Sequence, residues 1–204
     1  MAERFPVGAR VIVVGGGIVG CSVAYHLTRL GWTDVLLLER KKLTCGTTWH
    51  AAGLVGQLRA TLNLTKLARY TAELYAGLEA ETGQATGFKR TGSVSIASTP
   101  ARFEELRRGA SMAKTFGLDV EVISPAQVRE LWPLLDGDDV VGGVYLPGDG
   151  QTNPTDTTMA LAKGARQAGA RILEDVKVTG VNTANGRVTG VRTEQGDIAA
   201  EVVV

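Results

Sequence analysis

Residues 10–39 read RVIVVGGGIVGCSVAYHLTRLGWTDVLLLE. The run Arg10–Val14 is short, apolar and rich in β-branched residues, and it stops at three glycines, as a strand buried on both faces of a parallel sheet does. From Ile18 to Leu30 apolar residues recur at helical spacing. Gly31 then stands where a helix C-terminus takes a left-handed residue. Asp34–Glu39 is a second buried strand, ending on an acid. The stretch is a βαβ unit, and its helical crossover makes the two strands parallel.

Between strand and helix, Gly15, Gly17 and Gly20 fill the pattern G-x-G-x-x-G, with Ile18 and Val19 inside it. The first glycine makes the tight turn, the second lets the backbone approach a pyrophosphate, and the third lets helix and strand pack closely. The helix N-terminus points its free N–H groups and partial positive charge at the phosphates. Glu39 follows Gly20 by nineteen residues, at the end of the second strand, where an acid accepts from ribose hydroxyls. Together these predict a dinucleotide site. Glu39 would repel a 2′-phosphate, which argues against NADP. The fingerprint alone leaves NAD and FAD both open.

Bulk properties narrow the class. The chain has 204 residues, 44% hydrophobic and 21% charged, long enough for a sizeable core. Net charge is +1 with acids and bases interspersed, so no nucleic-acid partner is expected. Cys21 and Cys45 carry no metal-ligand spacing, and no metal is expected. The only apolar run near the N-terminus, VIVV, is too short for a signal or membrane segment, so no membrane partner is expected. The absent targeting peptide points to a bacterial cytoplasm, or to the mitochondrial matrix if such a peptide has been lost.

The remaining elements follow from punctuation. Residues 40–58 are expected to form a Gly/Thr/Ala-rich loop that enters a helix late, and 62–82 is an amphipathic helix. Residues 90–99 alternate as a strand, Pro100 opens a helix ending at Gly117, and Ser124-Pro125 caps and starts another. Asn153-Pro154 starts a helix stopped by Gly169. A β-meander closes the chain, with turns at Asn185-Gly186 and Gln195-Gly196. The last residues, VVV, read as a buried strand running off the end, so the chain is expected to be part of a longer protein.

After Glu39 comes ERKKLTCGTTWHAAGL (residues 39–54), a basic patch followed by a long small-residue loop. Small residues let backbone lie against a flat ring. The segment resembles the flavin segment of the dimethylglycine and sarcosine dehydrogenase (oxidase) family, within the D-amino-acid-oxidase-like group. LPGDGQTNPTDTTMALAKGARQAGARI (residues 146–172) is similar to that family's segment before its meander. The resemblance spans essentially the whole chain, and the Trp-His pair is its most specific part. Cys45 departs from it, since serine or alanine is expected there.

The resemblance implies an α/β fold: an FAD-binding Rossmann-type domain of the glutathione-reductase-like kind with a β-meander, formed by residues 1–60 and 150–204, and part of a substrate domain inserted over 61–149. It implies that the imidazole of His50 carries FAD covalently, as a nucleophile toward the flavin 8α-methyl position. It also places Arg40, Gly46, Thr47, Thr48, Ala51, Gly53 and Leu54 at the cofactor and the backbone of Val178 at the adenine. The implied reaction oxidises an N-methyl amine, dimethylglycine or sarcosine, by hydride transfer to the flavin. Electron-transfer flavoprotein or oxygen is the implied electron acceptor, and tetrahydrofolate a possible acceptor of the one-carbon unit in the full-length protein. The family's catalytic residues are expected beyond Val204.

Other classes account for parts of the pattern. A nucleotide-binding module without activity explains the fingerprint, as does an NAD-dependent dehydrogenase domain, although GTTWHAAG has no task there. A flavin enzyme acting on another amino acid or on glycerol phosphate explains both. His26, inside the first helix, is expected to be structural, Cys21 to be packing, and Asp149 and Asp156 to cap a turn and a helix start.

Overall fold

The computed structural model describes residues 5–204, which divide into two compact units. The first comprises the chain up to Ala52, Gly77–Gly87 and Asn153–Val204; the second comprises Gly53–Ala76 and Phe88–Thr152.

In the first unit β1 (Gly8–Val14) leads into α1 (Ile18–Arg29) and β2 (Val35–Leu38). All four residues of β2 are buried, as a parallel strand covered on both faces requires. The buried face of α1 is Cys21, Ala24, Tyr25 and Thr28, the i, i+3, i+4, i+7 stripe of an amphipathic helix. Gly31 has φ of 87°, the left-handed conformation that ends the helix.

Further along, α5 (Pro154–Gln167) begins at Asn153, whose Oδ1 accepts from the N–H groups of Thr155 and Asp156 at 3.0 and 3.2 Å. Asn153, not Asp156, is therefore the cap; Asp156 adds negative charge to the first turn. Packing of α5 against α1 depends on Gly164, where a Cβ would lie 2.8 Å from the Tyr25 ring. The Tyr25 hydroxyl donates to the Glu81 carboxylate at 2.8 and 2.9 Å, and Arg29 donates to the same carboxylate.

The chain then forms β8 (Arg171–Leu173) and a meander of β9 (Val178–Ala184), β10 (Arg187–Thr193) and β11 (Gly196–Val203). One six-stranded sheet results, in the order β8-β2-β1-β11-β10-β9. β8, β2, β1 and β11 run parallel, and β11, β10 and β9 are antiparallel. Asn185 and Gly186 both have positive φ, 50° and 73°, as the two-residue hairpin predicted there demands. The second hairpin turns on Glu194 and Gln195, one residue earlier than expected. The core of the sheet gathers Ala9, Ile12, Leu36, Leu38, Val176, Val191, Ile198 and Ala200.

The second unit holds a three-stranded antiparallel sheet, with β6 (Gly142–Leu146) between β4 (Ser93–Ala97) and β5 (Glu121–Ile123). It also holds α3 (Pro100–Thr115) and α4 (Pro125–Leu131). Ser124 and Gln127 form a full capping box at α4. A short ribbon pairs β3 (Leu54–Val55) with β7 (Gly150–Gln151). Asp149 is buried, accepting from the Gln57 N–H at 2.8 Å and the Ser93 hydroxyl at 2.6 Å. The role is structural, but the side chain ties together distant segments instead of capping the turn expected of it. The helix α2 (Leu62–Thr82) crosses the division between Ala76 and Gly77.

Candidate nucleotide site

The parallel strands fix where a ligand can go. From β1 the chain crosses through α1 to β2 on one side, while β11 joins β1 on the other. Such a reversal opens a crevice beyond the carboxyl ends of the strands. The N–H of Val14, at the end of β1, donates to the carbonyl of Val204 at 2.8 Å, so both strands end at the same crevice.

A cavity of about 550 Å3 occupies that crevice, within the range of small-molecule sites. Its floor is the glycine turn. At Gly15, with φ of 111°, an added Cβ would point into open space, whereas at Gly20 it would strike the carbonyl oxygen of Gly15. The first glycine is thus needed for its conformation and the last for close packing. Ile18, Val19 and Gly20 open α1, whose first-turn N–H groups have no intrahelical acceptors.

Glu39 lies at the other wall and is buried. Its Oε2 accepts the Gly16 N–H at 2.7 Å and its Oε1 the Lys41 N–H at 2.9 Å. The Cys45 thiol approaches Oε1 at 3.9 Å. Each carboxylate oxygen keeps lone-pair capacity, so the acid can still accept from a ribose. Arg40, exposed, lines the cavity beside it.

Residues 40–51 fold back over the glycine turn instead of leaving as a helix. The Thr44 N–H donates to the Gly16 carbonyl at 3.0 Å, and Thr44 itself has φ of 69°, a costly conformation for a β-branched residue. The Leu43 N–H donates to Glu174 at 2.6 Å. The loop ends in a 3₁₀ turn, Thr48–His50, in which the Thr48 Oγ1 accepts the Ile18 N–H at 3.0 Å. As a result Gly46, Thr47, Thr48 and Ala51 line the same cavity as Gly15, Gly17 and Gly20. His50 sits within that turn but is exposed and does not itself line the cavity, its ring 3.8 Å from the Trp49 ring at an interplanar angle of 34°.

Some expected residues stand elsewhere. Val178 pairs with Thr193 at the start of β9 and packs at the margin of the sheet core, not on the cavity. Gly53 and Leu54 belong to the second unit, where Leu54 is 81% exposed. Conversely, Val13, Val14, Val23, Cys45 and Val204 line the cavity without having been singled out. For Val13 and Val14 the signal was position, since the end of a strand that runs into a glycine turn faces the crevice. Val23 on α1, Cys45 in the loop and Val204 after β11 carried no such local signal.

Two groups are structural. Burial pushes the Cys21 thiol up to about 12, Arg166 opposing only in part, so it stays protonated beside the Gly16 carbonyl. His26 is bonded within α1, its Nδ1 2.7 Å from the Ser22 carbonyl oxygen. Among the described residues no cluster of side chains has metal-binding geometry, and no helix is long and apolar enough to cross a membrane.

The glycine cradle, the acid and the helix N-terminus fit the ribose and pyrophosphate of a dinucleotide. Comparison with known proteins agrees. Residues 10–204 match the family described as DAO, FAD dependent oxidoreductase. The chain is 41% identical over 209 residues to human mitochondrial sarcosine dehydrogenase, covering 100% of this chain and 23% of that protein. It is 43% identical over 199 residues to the mouse mitochondrial pyruvate dehydrogenase phosphatase regulatory subunit, covering 98% of this chain and 23% of that protein. In fold it matches L-proline dehydrogenase from P. horikoshii with a TM-score of 0.91 and 28% identity, over 98% of this chain and 52% of that one. The chain therefore spans about a quarter of the length of these curated relatives. The glycine turn, its acid and the whole-chain match together establish that this chain belongs to the FAD-dependent oxidoreductase family called DAO.

Proposed function

We propose that the chain is the FAD-binding part of an enzyme that oxidises the N-methyl group of a small amino acid, sarcosine or dimethylglycine, with FAD held covalently through His50. The observation that carries this reading is the fold-back of residues 45–51 onto the glycine turn. One cavity is lined by Gly15, Gly17 and Gly20 and by Gly46, Thr47, Thr48 and Ala51, and His50 is set in the same 3₁₀ turn. A loop in that place serves a ring system attached to the nucleotide, which a plain NAD domain does not need.

In this reading Glu39 binds the ribose, the N-terminus of α1 holds the pyrophosphate, and Arg40 adds positive charge beside it. The imidazole of His50 would supply the nucleophilic nitrogen for attachment: the new N–C bond replaces a C–H bond of the flavin 8α-methyl group, protons are released, and the two electrons pass to the same acceptor that serves turnover. The roles of Val178 at the adenine and of Gly53 and Leu54 at the ring rest on the resemblance alone. Bound FAD supplies a two-electron acceptor. The N-methyl carbon gives up a hydride, and water converts the resulting iminium to formaldehyde and the demethylated amine. The second unit, Gly53–Ala76 and Phe88–Thr152, is the beginning of the substrate domain, in place of the 61–149 insertion expected from the sequence. Electron-transfer flavoprotein or oxygen takes the electrons, and tetrahydrofolate is a further acceptor for the one-carbon unit. The compartment is the bacterial cytoplasm or the mitochondrial matrix.

A second reading has one specific observation in its favour. The mouse relative at 43% identity is named as a regulatory subunit, so identity at this level is compatible with binding without turnover. Anaerobic mixing of the full-length protein with sarcosine and with dimethylglycine separates the two. Loss of yellow absorbance with formaldehyde released supports the enzyme. A flavin that stays oxidised with both amines refutes this substrate class.

A further inference from the structure

We propose that Thr48 is a positioning residue: its hydroxyl caps α1 from across the chain and thereby fixes the turn that carries His50 against the glycine cradle. The inference rests on the FAD reading above and goes beyond it, since it assigns the geometry of the attachment loop to one hydrogen bond.

The N-cap of α1 is Gly17, which has no side chain to cap with. A first-turn N–H left without an acceptor in a part-buried place is costly. The structure fills the gap from thirty residues away, the Thr48 Oγ1 accepting the Ile18 N–H at 3.0 Å. Gly17 makes the room: a Cβ there would lie 3.1 Å from the Thr48 Oγ1. The missing side chain at the second fingerprint glycine thus admits a hydroxyl as well as a cofactor.

Thr48 is 8% exposed and lines the cavity, so its position is set by packing as well as by this bond. His50 lies two residues on, inside the turn closed by His50 N–H to Thr47 and Ala51 N–H to Thr48 carbonyls at 3.2 and 3.1 Å. A turn this short transmits displacement: if Thr48 leaves Ile18, the imidazole moves with it. Attachment chemistry is sensitive to such shifts because reacting atoms must be held near contact distance.

The test uses full-length protein produced without flavin, to which FAD is added. Two readouts are followed: the binding constant for FAD, and the growth of acid-stable flavin with time. Thr48→Val keeps the shape and removes the acceptor; Thr48→Ser keeps the acceptor and removes a methyl. An N-cap hydroxyl of ordinary strength predicts roughly fivefold weaker FAD binding for Thr48→Val, at least as large a slowing of attachment, and a Thr48→Ser protein within about twofold of the parent. Thr48→Val behaving like the parent overturns the proposal. So does Thr48→Ser failing like Thr48→Val, which would assign the effect to packing of the methyl. If the parent itself holds no acid-stable flavin, the covalent reading falls, and the FAD binding constants of the two variants still decide the role of Thr48.

Discussion

The carboxylate of Glu39 accepts the backbone N–H of Gly16 at 2.7 Å, which joins the end of β2 to the middle of the glycine turn. In the proposed reading the acid has two tasks: it binds the ribose, and through Gly16 it holds the glycine turn on which the pyrophosphate would rest. Glu39→Gln puts an amide NH2 where one of two backbone donors, Gly16 or Lys41, needs an acceptor. We expect about 1–3 kcal/mol of lost stability in the FAD-free protein. FAD affinity should also fall by at least about tenfold, a loss near 1.4 kcal/mol. Thermal unfolding and equilibrium dialysis check the two separately; an unchanged affinity would remove Glu39 from the ribose.

The two outer fingerprint glycines fail differently. Gly20→Ala drives a methyl into the Gly15 carbonyl oxygen. Gly15→Ala meets no atom and suffers only from its positive φ. Denaturant unfolding should give about 1–2 kcal/mol for Gly15→Ala and a larger loss, about 3 kcal/mol or more, for Gly20→Ala. The reverse order would mean that the turn is not built as described.

The cysteines should separate by reactivity and by pH. Cys21 is buried with its thiol pushed up to about 12, while Cys45 is exposed in the cavity. One thiol should react with iodoacetamide at neutral pH, Cys45, and FAD should shield it. Because the folded protein holds the Cys21 proton more tightly than the unfolded chain, its stabilisation is full below about pH 9. It is lost as pH rises from there toward about 12, at up to about 1.4 kcal/mol per pH unit. Unfolding of Cys21→Ala should therefore depend less on pH between 9 and 11 than that of the parent. Equal slopes would contradict the buried thiol.

In the second unit Asp149 should prove structural. Both its oxygens are used, by the Gln57 N–H and the Ser93 hydroxyl. Asp149→Asn should lower stability by about 1–3 kcal/mol and leave FAD affinity unchanged. A large change in affinity with no change in unfolding would reassign it.

Much of this architecture could be read from the chain because local chemistry dictated it. Gly31, Gly117 and Gly169 all adopt the positive φ expected of helix stops, and Asn185-Gly186 makes the hairpin. Glu39 reached the cleft because strand period and spacing alone put it there. What escaped were relations between distant parts. Nothing local pairs Val11 with Val202, so Val204 at the cavity was invisible. The return of Gly77–Gly87 to the first unit breaks no hydrophobic period. Thr48 reads as one more small loop residue until its hydroxyl is found at Ile18. The loop after Lys42 was harder still, since a 3₁₀ turn of three residues leaves no periodicity to detect.

Attachment of FAD through His50 is tested most simply by acid precipitation. Full-length protein is purified, precipitated with acid and washed, alongside His50→Ala. Attachment through His50 gives a yellow pellet from the parent and a colourless pellet with yellow supernatant from the variant. Colour released equally from both would contradict it, leaving His50 as a neighbour of flavin that is bound without a bond.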